Sequence, residues 1–259
     1  MSAPPIAGLG LCLSGPHYSL FLRWPLGEPL ARNVCAGRPC AACGAPIDVF
    51  GDHAVSCARV GFGPRHHGIQ SSLCRSLAQA HLPHDREVDV VGDGTRPADV
   101  LLKCWEPGGR DLAVDLTVTH LCPNSVGRPG PGTAGKLAKK AEEEKVKGSE
   151  AKCAAAGCGF SPLVMDTWGG IHGAGRALWT DIASRCAAHV ADKARARAVG
   201  VLRQGLGVTL ARAVATQLEH LLEVGPAPPA WWAEAGAPLV YAVDAASNET
   251  TWGGIPYRD

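Results

Sequence analysis

The sequence predicts an α/β domain with a mixed central β-sheet flanked by helices, preceded by a small metal knuckle. Three patterns predict it. Cysteine and histidine cluster between Cys40 and Cys57. Ile69, Leu73, Leu77 and Ala80 recur at helical spacing. Leu112, Val114, Leu116 and Val118 alternate with Ala113, Asp115, Thr117 and Thr119, as on a strand.

Residues 1–34 form a Gly/Pro-punctuated lead with a short apolar patch from Tyr18 to Trp24. Residues 35–62 hold the cysteine cluster, and 63–224 the main domain. A helix begins near PRHH and closes at Pro83. Strands follow over 87–91, 98–105 and 111–121, separated by the turns GDGTRP and EPGGR. Residues 123–135 read as a Gly/Pro-rich loop. A charged helix from Lys136 is expected to break near Gly148. FSPLVMDTW reads as a fourth strand, ended by Gly169 and Gly170. Two further helices are expected, one from Gly173 through Leu206 and one from Val208 through Val224. From Gly225 the chain is a Pro/Trp-rich tail without a clear pattern, and its sequence leaves open whether it folds. One helix, three strands, one helix, one strand and more helices make a mixed sheet the natural outcome.

Composition narrows the function. Hydrophobic residues are 46% of the 259, enough for a core. A net charge of +1 argues against a broadly basic nucleic-acid coat, though a local patch is compatible with it. No apolar run reaches the roughly 18 residues a membrane helix needs. The first residues lack the basic start of a secretory signal. With eleven cysteines, a reducing compartment makes metal ligation the first reading and disulfides the second.

Cys40-x2-Cys43-x9-His53-x3-Cys57 supplies three thiols and an imidazole, a set that suits a structural Zn²⁺. The x3 spacing sets His53 and Cys57 one helical turn apart, and Gly44 and Gly51 let the chain reverse. Cys35 is an alternative ligand. Four protein ligands leave no open position for water, so chemistry belongs elsewhere. If EPGGR is a hairpin loop centred on Pro107, Asp99 and Asp115 face each other across two strands. Two carboxylates one strand spacing apart can seat Mg²⁺.

Together, GDHAVSC, PRHH, RPADV, DLTVTH, AEEEKVK and FSPLVMDTWGG resemble the restriction-endonuclease-like, PD-(D/E)xK domain that follows a Cys-Cys-His-Cys zinc knuckle at the C-terminus of certain non-LTR retrotransposon polyproteins. The resemblance covers roughly residues 30–210. It implies a Mg²⁺- or Mn²⁺-dependent DNA endonuclease that nicks target DNA so that the 3′-hydroxyl primes reverse transcription. Asp99 would be the aspartate of the PD motif, reading here P-A-D, and Asp115 the second metal carboxylate, with the Leu116 carbonyl beside them. Thr117 occupies the usual lysine slot, so the lysine would come from the following helix: Lys145 first, then Lys147, with Lys139 and Lys140 open. Arg65, His66, Arg96, Lys139 and Lys140 would contact DNA. Asp166 reads as structural before catalytic. The resemblance further implies a nuclear location and, as partners, DNA, element RNA and a reverse transcriptase encoded elsewhere. Met1 suggests a short reading frame or a fragment. Two other readings compete. One is a catalytically silent nucleic-acid-binding remnant. The other is a zinc-stabilised protein-interaction module using Trp231, Trp232 and Trp252. A zinc hydrolase ranks last, because a Cys₃His set is closed.

Overall fold

The computed structural model describes residues 11–30, 37–57, 59, 63–94, 98–120, 131–188, 190–223, 242–243 and 250–251. Cys35, Arg96, most of the 123–135 loop and the tail tryptophans lie outside the described residues.

The lead segment carries a helix, α1 (Gly15–Arg23), where only an apolar patch was expected. The Ser14 side chain caps it by accepting from the His17 N–H, and Pro16 fits its first turn. Leu20, Phe21 and Trp24 bury one side of this segment. The knuckle contributes a short helix, α2 (Asp52–Ser56).

Helix α3 (Gly63–Gln79) buries Ile69, Leu73 and Leu77, the stripe its spacing predicts. It stops before Pro83, because His81 takes a left-handed φ of 54° and the Leu82 N–H returns to the Leu77 carbonyl.

Four strands follow in the order β1-β2-β3-β4, the first three antiparallel and the last parallel to β3. β1 is His84–Val88, not 87–91. The Asp89 carboxylate accepts the N–H groups of Val91, Gly92 and Gly94, so the turn begins earlier than composition suggests. β2 (Ala98–Leu102) is also shorter than expected. Asp111 draws the Cys104 N–H and the Lys103 ammonium into the hairpin loop. β3 is Leu112–Thr119. Val100 pairs with Val114 and Leu102 with Leu112, which centres the hairpin on Pro107 as anticipated. β4 (Gly159–Asp166) ends where the Asp166 carboxylate accepts the N–H groups of Trp168 and Gly170.

The crossover from β3 to β4 runs through α4 (Pro131–Ala155), a helix that continues through Gly148. The expected interruption does not occur. Gly148 is exposed and crowded by nothing, so it costs only its backbone entropy, which 25 residues of helix absorb. The last two expected helices are partitioned differently. α5 (Gly173–Cys186) stops near Ala187, and α6 runs unbroken from Asp192 to Glu223. Gly205 and Gly207 do not interrupt α6, whose buried Leu206, Leu210, Val214 and Leu218 repeat at helical spacing. In the tail, Ala242–Val243 (β5) and Thr250–Thr251 (β6) form a small antiparallel pair.

One face of the sheet carries Val100, Leu102, Leu112, Val114, Leu116, Leu163 and Met165 into a core with α1, α3, α5 and α6. Cys40, Ile47, Ala54, Val55 and Cys57 belong to the same core, so the knuckle packs on the domain. The opposite face, with Leu101 and Ala113, meets Cys153 of α4 in a smaller cluster.

Candidate metal and carboxylate sites

The knuckle is a hairpin joined to one helical turn. The Cys40 N–H donates to the Ala45 carbonyl and the Gly44 N–H to the Cys40 carbonyl, which closes the Cys40-x2-Cys43 turn. Gly44 accommodates the reversal at a φ of 77°. Asp48 accepts the N–H groups of Phe50, Asp52 and His53 and so starts α2. The ligand atoms of Cys40, Cys43, His53 and Cys57 all lie within 4.8 Å of one another, with Cys43 Sγ 3.3 Å from His53 Nε2. Sulfur and nitrogen at about 2.3 and 2.0 Å from a tetrahedral Zn²⁺ stand roughly 3.5–3.8 Å apart, so the donor set fits zinc in both chemistry and size. Burial opposes ionisation of Cys40. The Cys43 N–H, the His53 ring and the Ala42 N–H outweigh it and bring the thiol down to about 6. A thiol that ionises readily is a ready metal ligand.

The second site lies where β2, β3, α3 and α4 converge. The β2–β3 register carries Asp99 and Asp115 into adjacent positions, one residue beyond the Val100–Val114 pair. Asp115 shares its strand parity with Ala113 and so faces α4. On α4, Ala138, Lys145 and Cys153 recur at spacings of seven and eight, and that stripe faces the sheet. Lys145 Nζ donates to Asp115 Oδ1 at 2.7 Å. Lys147 lies about 200° further round the helix and is exposed. Lys139 and Lys140 are likewise exposed, 3.7 and 3.9 Å from Glu143 and Glu144. The helix therefore brings Lys145 to the carboxylates, and these three point elsewhere. Thr117, two residues past Asp115, is half-buried on β3.

The two carboxylates are held differently. Asp99 Oδ1 stands 3.2 Å from His66 Nε2, and Asp99 Oδ2 accepts the Leu116 N–H at 2.6 Å. Burial alone would raise Asp99. The hydrogen bond and charge of His66, with the Leu116 N–H, overcome it and hold the carboxyl below its ordinary value. The Asp99 hydrogen bond in turn raises His66. For Asp115, burial dominates and the Asp99 charge adds to it. Lys145 opposes both only in part, and the carboxyl is pushed up to about 6. Paired acids with divergent affinities for a proton are a common signature of functional sites.

His66, expected at phosphate, is thus found on Asp99. Arg65 needs a correction. It is 1% exposed and donates to the Val55 carbonyl, the Gln217 side chain and the Val118 carbonyl, so it ties α2, α6 and β3 together instead of facing a ligand. Burial lowers its guanidinium to about 10. Asp166 Oδ2 stands 2.6 Å from His172 Nε2, and its Oδ1 accepts from the turn that ends β4. Two neighbours escaped the sequence reading. Glu87, at a left-handed φ of 51° on β1, brings its carboxylate to His66 and Asp99, and all three ligand atoms lie within 4.8 Å of one another. Gln70, fully buried on α3, donates to Glu87 Oε1 at 2.5 Å and to the Asp99 carbonyl at 2.8 Å. The only trace of Gln70 in the sequence is a polar residue next to the apolar stripe at Ile69. Glu87 was hidden inside an apparent strand.

Among the described residues no helix is long and apolar enough to cross a membrane. Comparison with models of known protein families and with characterised proteins finds no match.

Proposed function

We propose that this chain is a metal-dependent DNA endonuclease with a restriction-endonuclease-like core, stabilised by a structural zinc knuckle. The observation that carries the reading is the meeting of Asp99, Asp115 and Lys145, two carboxylates and an ammonium drawn from two strands and a helix. A divalent ion such as Mg²⁺ or Mn²⁺ at the carboxylates would lower the pKa of a bound water and offset charge on the scissile phosphate. The chain's own residues have distinct tasks. Asp99 stays ionised because His66 and the Leu116 N–H hold it. Lys145 balances Asp115 in the absence of other charge, and its ammonium can orient water or meet a phosphate oxygen during the reaction.

DNA is the substrate in this reading, the nucleus its place of action, and element RNA with a reverse transcriptase its partners. Lys139 and Lys140 are two of the exposed cations on α4 that could meet a phosphate backbone, already offset in part by Glu143 and Glu144. The near-neutral chain should therefore bind DNA weakly, with a shallow salt dependence.

The test is nicking of supercoiled plasmid by zinc-loaded protein in Mg²⁺, Mn²⁺ or EDTA. Relaxation that requires the divalent ion and falls at least about a hundredfold in Asp115→Ala and Lys145→Ala supports the nuclease. Equal background from folded wild type and Asp115→Ala replaces it with a silent nucleic-acid-binding remnant.

A further inference from the structure

We propose that His66, Glu87 and Asp99 form a binding site for a first-row divalent metal ion of the Mn²⁺ type, beside the Asp115–Lys145 pair and separate from the zinc knuckle. The three donors come from α3, β1 and β2, and their ligand atoms lie within 4.8 Å of one another. The edge from His66 Nε2 to Asp99 Oδ1 is 3.2 Å. Neighbouring ligands on a six-coordinate ion with bonds of about 2.1–2.2 Å stand roughly 3 Å apart, so this edge is already the right length. One imidazole and two carboxylates balance a dication in charge. The imidazole selects against Mg²⁺ and Ca²⁺, which prefer oxygen alone.

The donors are supported from behind. Gln70 is fully buried, and its amide grips both the Glu87 carboxylate and the Asp99 carbonyl. Its own oxygen is held by Arg86 at 2.9 Å. This is the supporting layer that orients ligands in metal sites. It also gives the left-handed backbone at Glu87 a reason, since that turn of the strand brings the carboxylate against α3. The remaining Asp99 oxygen is committed to the Leu116 N–H, which orients Oδ1 toward His66. Asp115, whose Oδ1 accepts from Lys145, is not among these three donors.

The inference does not require the nuclease reading. It is tested by Mn²⁺ uptake, followed by electron paramagnetic resonance on the full zinc-loaded chain with Mg²⁺ in large excess. Thermal melts establish that each variant is folded. The expected result is Mn²⁺ uptake by wild type in the presence of Mg²⁺, weakened at least about tenfold in Glu87→Gln and in His66→Gln and nearly unchanged in Asp93→Asn, an exposed carboxylate paired with Lys152. Should Glu87→Gln fail to fold, His66→Gln carries the comparison. Wild-type affinity in both Glu87→Gln and His66→Gln, an equal loss in Asp93→Asn, or no uptake by folded wild type overturns the site. Nicking in Mg²⁺ without Mn²⁺ uptake would retire this site and keep the nuclease. Mn²⁺ uptake by His66 and Glu87 without nicking would do the reverse.

Discussion

Asp115 concentrates the electrostatics of the site. Burial, with Asp99 alongside, raises its carboxyl from 3.8 to about 6, and Lys145 only moderates the rise. A carboxyl raised on folding leaves stability intact below the unfolded value and removes it as pH climbs through the folded one. The window is therefore 3.8 to about 6. Relative to Asp115→Asn, wild type should lose about 2–3 kcal/mol of unfolding free energy between pH ~4 and ~7. Urea titrations with zinc but no other dication would measure it, and a pH-independent difference would mean that Asp115 ionises normally. At this scale, Asp99 and Asp115 were legible because strand parity and one turn residue suffice to pair them. Arg65 was not legible. An arginine at a helix start looks like a phosphate ligand until the Val55, Val118 and Gln217 acceptors are seen around it.

Among the elements, α4 is the most informative. Its exposed face carries Lys139, Lys140 and Lys147, while its inner stripe delivers Lys145 to β3. Six lysines stand against four glutamates over residues 136–152, and that count does not distinguish them. What distinguishes them is the side of the sheet on which the crossover lies. The uninterrupted passage through Gly148 gives a direct expectation. A Cβ there meets nothing within 4 Å. Gly148→Ala should stabilise the protein by about 0.5–1 kcal/mol in chemical denaturation. Destabilisation instead would show that the helix needs a flexible point there. Strand boundaries were misplaced at β1 and β2 for one shared reason: Asp89 and Asp111 take backbone N–H groups into side-chain-built turns.

Across the whole molecule, the knuckle and the sheet share a core. Ala54 and Val55 of α2 pack in the cluster that contains Trp24, Ile69 and Leu210, and Arg65 bonds to the Val55 carbonyl from α3. Metal lost from the knuckle should therefore weaken the entire domain. Chelation is expected to lower the midpoint of a single cooperative melt by more than about 10 °C, with recovery on adding Zn²⁺. A chelated protein that melts as before would show that the hairpin and α2 hold their positions without metal. The buried His17–Glu219 pair, at 3.1 Å, similarly joins the first helix to the last across 202 residues of sequence. The lead segment is part of the fold's packing, which its Gly/Pro content concealed.

What the sequence determined by itself was local or periodic. The Cys₃His spacing, the α3 stripe, the alternation in β3 and the hairpin centred on Pro107 are each set by a few neighbouring residues and a fixed backbone repeat. What only the tertiary structure decided was which distant groups meet. Lys145 was separated from Lys147 by helical phase against the sheet. Arg65 was drawn inward, and Glu87 and Gln70 were joined to His66 and Asp99. Spacing along the chain specifies direction within one element. The relative placement of two elements depends on the packing of their apolar faces, which here bring α3 and α4 onto opposite sides of the strands that carry the carboxylates.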